Sequence, residues 1–414
     1  MTDIYRTWVR DTGLDGFRID TAKHVNMEFW ERFSPALRGY AAQQGNKRFF
    51  MFGEVYSGEP SFTSRYSTRG AMNATLDFPF QEAARSFGGG TADASRLARL
   101  YAGDDYHTDA DGNASSLPTF LGNHDMGRIG RFVTQDNPGA PDSELLRRDL
   151  LAHELMYLTR GQPVVYYGDE QGFTGKGGDQ DARASMFASK TESYLSDDLI
   201  GTDSTHAKDN FVPTHPLYRG ISALAALRDA HPALADGAQI ERLVSGGVYA
   251  FSRIDATRQV EYLVAVNNAE QPATASVPTF SAGAAFTKVY GEGAAALTTG
   301  TDTKLALTVP ALSAVVYKAP ARLAAPGPPP RPSRSPCRAP RSGAPPRTAG
   351  SRSSRPCPAP ASTRSPSPPR SATAPGGRSA PTTPPTPPPR VAPSGSSTTC
   401  AASRRARRCR TRPW

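Results

Sequence analysis

Asp15-Gly-Phe-Arg-Ile-Asp20 reads as a strand that ends on a carboxylate. Phe17 and Ile19 alternate with Arg18 and Asp20, the period of two that puts apolar and charged side chains on opposite faces. Before it, Met1 to Gly13 predicts a helix, with Ile4, Trp8 and Val9 sharing a face and Gly13 as the stop. After it, Asn26 to Ala42 predicts a second helix carrying Phe29, Trp30, Phe33 and Leu37 on one side. Arg48-Phe-Phe-Met-Phe-Gly-Glu54 is then a short apolar run, a buried strand by length and composition, and it too ends on a carboxylate. Leu117 to Leu121 leads into Gly122-Asn-His-Asp125 in the same way. Gln162 to Gly168 predicts another buried strand, and Thr75 to Phe78 a weaker one. Ala92 to Ala102, Glu144 to Thr159 and Leu217 to Arg228 predict helices. Strands alternating with helices imply an α/β fold with a parallel sheet or barrel.

After about Asp236 the pattern changes. Short alternating runs, at Val248, Tyr262, Lys304 and Ser313, follow one another with no helix between them, as in a small antiparallel β-sandwich ending near Lys318. Residues 321–414 differ again. They hold 24 Pro and 18 Arg but no Lys, Asp, Glu, Ile, Phe or Tyr. Such a segment cannot bury enough apolar surface to offset its ordering entropy, so it is expected to be disordered. Its abrupt onset and its lack of residues with A- or T-rich codons suggest GC-rich coding sequence read out of frame from close to Arg322; a Pro-rich linker is the alternative. The expected domains are therefore 1–235, 236–320 and 321–414.

The net charge of +10 divides along the same line: residues 1–320 hold 30 basic and 38 acidic side chains, about −8, against +18 for the tail. The basic average is thus a property of the tail, where Arg without aromatic interleaving gives only non-specific affinity, and no specific nucleic-acid partner is expected. All four Cys (Cys337, Cys357, Cys400, Cys409) also lie in the tail, leaving no disulfide or thiolate metal site before it. No run approaches the roughly 18 apolar residues of a membrane span, and the first residues show no apolar core of a signal peptide.

Three strand ends carrying Asp20, Glu54 and Asp125 can converge if the strands form a barrel, whose C-terminal strand ends face the active site. Glycosidic bond cleavage needs two carboxyl groups with different tasks, one protonated to help the leaving oxygen depart and one ionised to attack carbon or activate water. Arg18, two residues before Asp20 and so on the same face, favours an ionised Asp20. Glu54 follows four apolar residues with no cation near it in sequence, a setting that suits an acid. Taken singly, each has a blander reading. A lone Asp at a strand end is more often a helix cap, Arg18 a structural ion pair, Glu54 a solvated strand end and His124 a structural histidine. Spacing alone does not name the reaction.

The motifs themselves carry a resemblance. Gly16-Phe-Arg-Ile-Asp-Thr-Ala-Lys-His24 resembles the nucleophile motif of the α-amylase family of glycoside hydrolases. Phe52-Gly-Glu-Val55 resembles its acid/base motif, Phe120-Leu-Gly-Asn-His-Asp125 its third-carboxylate motif, and Gly161-Gln-Pro-Val-Val-Tyr-Tyr-Gly-Asp-Glu170 its last barrel strand. The resemblance covers roughly residues 1–320. It implies a (β/α)8 TIM barrel followed by a β-sandwich, and retaining hydrolysis of α-glucosidic bonds in starch-like glucans, of the endo α-1,4 type. Asp20 would be the nucleophile and Glu54 the acid/base. Asp125 and His124 would hold hydroxyls of the sugar being cleaved, and Arg18 would orient Asp20. Lys23 and His24 would form an acceptor-side pair. The His24 backbone carbonyl would ligate Ca2+ in calcium-dependent members. Asp179-Gln-Asp-Ala-Arg183-Ala-Ser-Met186 resembles the loop after the last strand in members that handle starch-like or branched glucans and leans slightly towards the pullulanase-like side. Pullulanase- or neopullulanase-type α-1,6 or mixed specificity is therefore the alternative, with Arg183 touching substrate or making a structural ion pair.

In the family the nucleophile ends the fourth strand, and here only a helix precedes it. The chain is therefore expected to hold strands four to eight of the barrel and to lack the excursion that supplies most calcium ligands. A truncated, weakly active or inactive monomer is expected, from a secreted parent enzyme that binds α-glucan. An inactive glucan-binding remnant is the non-enzyme alternative. Remnants of that kind usually lose one of the three carboxylates, and all three are present.

Overall fold

The structure, a computed structural model, describes residues 1–175 and 178–323. The disorder expected of the tail concerns residues outside these, from 324 onward. Three parallel strands, β1 (Gly16–Ile19), β2 (Phe50–Gly53) and β3 (Ala74–Thr75), pair in chain order, with Gly16 opposite Phe50 and Ile19 opposite Gly53. Gly16 has to be glycine: a Cβ there would stand 2.0 Å from the Phe50 carbonyl oxygen. A second parallel pair follows, β4 (Pro118–Phe120) and β5 (Gln162–Val164). The Asp77 amide donates to the Pro118 carbonyl at 3.0 Å, which joins the end of β3 to β4.

Helices separate these strands, as the alternating pattern implied. Helix Thr2–Thr12 ends on Gly13 in the left-handed conformation, φ 64°. Helix Met27–Gln43 buries Trp30, Phe33, Leu37 and Ala41 in one apolar cluster with Val9, Ile19 and Met51. The Trp30 indole also donates to the Ala22 carbonyl at 3.1 Å, which fixes this helix to the turn after β1. None of the described helices is long and apolar enough to cross a membrane.

The expected strand Thr75–Phe78 is corrected. Only Ala74–Thr75 is extended, and Phe78 begins a helix, Phe78–Gly88. The Asp77 carboxylate accepts from the Phe80 amide at 3.0 Å and Pro79 lies in the first turn, so a capped helix start wins over the apolar alternation.

Helix Asp142–Leu158 lies at the centre, and Leu151–Leu158 are buried all round. One apolar cluster joins it to helices Phe78–Gly88 and Pro216–Ala230 and to the C-terminal sheet. That sheet is antiparallel and six-stranded. Its strands are β6 (Ala238–Ser245), β7 (Val248–Ile254), β8 (Val260–Asn267), β10 (Ala285–Tyr290), β11 (Ala296–Thr298) and β13 (Ser313–Arg322), in the order β11-β10-β13-β8-β7-β6. A two-stranded layer, β9 (Ala273–Pro278) and β12 (Lys304–Val309), covers one face. Val248, Ala250, Leu263, Ala265 and Val315 pack towards this layer, whereas Tyr249, Phe251, Val264 and Val316 pack towards the helices. β13 continues to Arg322, which pairs with Val260, so the sheet extends slightly past the expected boundary at 320.

Glu154, on the central helix, is buried against this sheet and accepts a hydrogen bond from the Tyr290 hydroxyl at 2.8 Å. Burial pushes its carboxyl up to about 8, against the lowering effect of Tyr290 and the Ala314 amide. The folded chain then keeps a proton that the unfolded chain releases. The resulting stabilisation is full below the ordinary glutamate value and is lost as pH rises towards 8. Glu154→Gln is expected to remove this decline, about 1 kcal/mol per pH unit at its steepest. Urea midpoints between pH 5 and 8 check it, and an unchanged slope in the variant rules out a proton on Glu154.

Candidate active site

Each expected carboxylate follows a strand. Asp20 lies directly after β1 and Glu54 directly after β2, and because these strands are paired in register the two side chains are neighbours. The Arg18 guanidinium lies between them, with Nη1 2.7 Å from Asp20 Oδ2 and Nη2 3.6 Å from Glu54 Oε2. Glu54 also accepts from the Thr21 amide at 2.9 Å. Thr21 turns its amide that way by adopting φ 49°, a left-handed conformation that costs a β-branched residue about 1–3 kcal/mol. Strain immediately after Asp20 thus brings a donor onto Glu54. The cation-free setting expected for Glu54 is corrected: Arg18 reaches it from the neighbouring strand.

Asp20 is open to solvent, its side chain 65% exposed, while that of Glu54 is 14% exposed. A hydrogen bond from Arg18 and a second from Glu54 hold the Asp20 carboxyl below the ordinary aspartate value, with smaller help from the charges of Arg18 and His124. One carboxylate is therefore kept ionised and accessible beside a more enclosed partner, the asymmetry that glycosidic cleavage requires.

The third carboxylate is held from two sides. Asp125 lies 3.2 Å from His124 Nε2 through Oδ2 and 3.0 Å from Arg183 Nη2 through Oδ1. The Arg183 contact comes from the loop beyond β5, so the ion pair weighed for this residue is made to Asp125. The Asn123 side chain accepts from the amides of Asp125 and Met126 at 2.9 and 3.0 Å, an Asx turn that presents His124 and Asp125 beyond the end of β4. Gly127 closes the turn at φ 112°. Below it Arg128 is fully buried. It donates to the Tyr167 carbonyl at 2.6 Å, lies 3.3 Å from Asp169 and sits 4.4 Å from the Tyr166 ring centroid. Burial, partly offset by Arg128, pushes Asp169 up to about 7. The Asn123 turn has a local sequence signal, Asn two residues before Asp. Arg128 and Arg183 have none, since their partners lie 41 and 58 residues away.

Lys23 and His24 are exposed on the turn Ala22–His24, whose first residue is buried. The Lys23 ammonium donates to the Tyr56 carbonyl at 2.8 Å, linking the loops after β1 and β2. Calcium needs about six to eight oxygen ligands. Among the described residues no group of three or more His, Cys, Asp or Glu converges to hold a metal. The side chains present therefore do not fit a calcium site at the His24 carbonyl.

Known proteins resemble this chain. The family model for the α-amylase catalytic domain matches residues 1–237. An α-amylase of Streptomyces lividans is 56% identical over 329 residues, which is 79% of this chain and 36% of that protein. A cyclomaltodextrin glucanotransferase of Bacillus sp. (strain 38-2) is 29% identical over 258 residues, 61% of this chain and 30% of that one. The chain thus spans about a third of the length of these relatives. Among solved structures, an Anoxybacillus α-amylase superposes with TM-score 0.59 at 22% identity, covering 78% of this chain and 62% of that one. The α-amylase of Geobacillus thermoleovorans, complexed with acarbose, superposes with TM-score 0.61 at 20% identity, covering 77% and 62%. At such identities the structures speak for the fold alone, but the catalytic-domain match takes in Asp20, Glu54 and Asp125 together, and the chain belongs to the α-amylase family of glycoside hydrolases.

Proposed function

We propose that residues 1–235 carry the machinery for retaining hydrolysis of α-1,4 bonds within starch-like glucans. The observation that carries this is the Arg18 guanidinium set between Asp20 and Glu54. It holds an ionised nucleophile beside a second carboxyl group. Asp20 attacks the anomeric carbon and Glu54 gives its proton to the departing glycosidic oxygen. A glycosyl–Asp20 ester remains. Glu54, now ionised, takes a proton from water, whose oxygen displaces Asp20 with a second inversion. Asp125 and His124 hold hydroxyls of the reacting sugar. Lys23 and His24 lie on the acceptor side. On this reading β1 to β5 are strands four to eight of the family barrel, residues 236–320 its β-domain, and the parent enzyme is a secreted monomer. The Arg183–Asp125 contact favours a second reading, pullulanase- or neopullulanase-like specificity, because it brings the Asp179–Met186 loop onto the third carboxylate.

The roles can be tested free of any effect of chain length in a chimera, in which this chain replaces the matching 329 residues of the Streptomyces lividans enzyme. Proton NMR of starch digestion by the chimera is expected to show the α-anomer first. Glu54→Gln is expected to slow turnover about 10²–10⁴-fold. A first-formed β-anomer, or a Glu54→Gln variant of ordinary rate, rejects the assignment.

A further inference from the structure

Phe187 and Phe211 stand side by side on the surface, 64% and 54% exposed, with ring centroids 5.0 Å apart at 63°. The two segments that carry them are laced together. The Asn210 amide donates to the Met186 carbonyl at 2.8 Å, and the Ser189 amide to the His206 carbonyl at 2.7 Å. The Ala188 amide donates to Asp209 Oδ1 at 2.8 Å. Beneath them Asn210 and His206 are buried, and the His206 ring lies 4.4 Å from that of Phe173. Two large apolar rings are thus held in the open by a fixed frame. Exposure of this kind marks a contact surface when the backbone does not let the rings collapse.

Size and surroundings narrow the occupant. With Val212, the two rings offer roughly 300 Å² of apolar surface, far below the roughly 800 Å² per partner of a stable protein interface. Lys190, Lys208 and Asp209, close to the rings in sequence, are exposed, and the Ser185 hydroxyl accepts from the Phe187 amide at 3.1 Å. A narrow ligand with C–H faces and hydroxyl edges suits that setting, which is the chemistry of a pyranose chain. The platform is carried by the same loop that reaches the candidate active site: Phe187 lies four residues after Arg183, which bonds Asp125. We infer that the Phe187–Phe211 pair is a docking platform for an α-glucan chain, outside the groups that perform cleavage. This rests on the glucan reading of the site.

The test uses the full chain in native gels containing amylopectin. The wild type is expected to be retarded. Phe187→Ala/Phe211→Ala is expected to weaken retention about tenfold at an unchanged melting temperature, and Phe187→Trp to preserve it. Equal retention of the double variant, or no retention of the wild type, overturns the platform. So does concentration-dependent self-association of the wild type that the double variant loses, since the occupant is then a second copy. The two readings fail separately. A chain that binds through the pair while the chimera does not cleave leaves the platform standing. A cleaving chimera beside a chain that is not retarded removes the platform alone.

Discussion

Asp20→Asn is expected to abolish starch hydrolysis by the chimera, by more than about 10⁴-fold, the scale on which loss of a reacting nucleophile acts. The substitution keeps the shape of the side chain and an oxygen for Arg18, which lies 2.7 Å from the carboxylate. It removes the charge and the nucleophilic oxygen pair. Because the amide still fits, binding of substrate should persist, so the loss falls on kcat and leaves KM close to wild type. Uniform loss through misfolding would show as a lowered melting temperature, and the exposed position of Asp20 gives no reason for one. Arg18 holds this carboxyl below the ordinary aspartate value. The nucleophile therefore stays ionised as pH falls through that value, and any acid limb set by Asp20 lies below it. Turnover by Asp20→Asn within tenfold of wild type would remove Asp20 from the mechanism and with it the retaining scheme.

The part of this site that is legible in the sequence is the part built by short-range rules. Asp20, Glu54 and Asp125 each follow a strand whose apolar pattern is local, so their placement at strand ends could be read directly. Arg18 could be placed beside Asp20 because residues two apart share a face. Its reach to Glu54 could not, because that depends on the register of Gly16 against Phe50. Thr21 gave no warning of φ 49°, since nothing in its neighbours requires that conformation until Glu54 is alongside. The strand read into Thr75–Phe78 shows the opposite failure. The local signal is there, an Asp followed by Pro two residues later, and the helix cap it marks outweighs the apolar alternation. In the C-terminal sheet the runs around Val248 and Tyr262 are strands, as their alternation implies. Their apolar residues occupy both faces, because the helices cover one side and β9 and β12 the other.

Arg160 is expected to be the most costly single charge to remove from the fold. Its guanidinium contacts Asp77 through Nη1 and Asp104 Oδ1 through Nη2 and Nε, the latter two at 2.7 and 2.9 Å. Its amide donates to Gln239 Oε1 at 2.8 Å, and the guanidinium lies 5.2 Å from the Tyr101 ring centroid. Burial works against this charge, but Asp77 and Asp104 outweigh it and push the guanidinium up. Asp77 is itself buried, caps helix Phe78–Gly88 and joins β3 to β4 through its amide. Gln239 lies on β6, so Arg160 ties Asp77 and Asp104 together through its side chain and reaches the first strand of the C-terminal sheet through its backbone amide. Arg160→Met leaves Asp77 with an uncompensated charge out of water, a change that costs about 3–5 kcal/mol. Urea unfolding at pH 7 measures it. Adding Asp77→Asn and Asp104→Leu should restore most of the loss, because Asn still caps the helix and the buried charges are gone. Recovery in the triple variant would assign the loss to the stranded charge, whereas equal instability of both would assign it to lost packing of the Arg160 stem. A loss below about 1 kcal/mol for Arg160→Met, the scale of an exposed pair, would mean that water reaches this triad and that its charges are not buried in the sense argued.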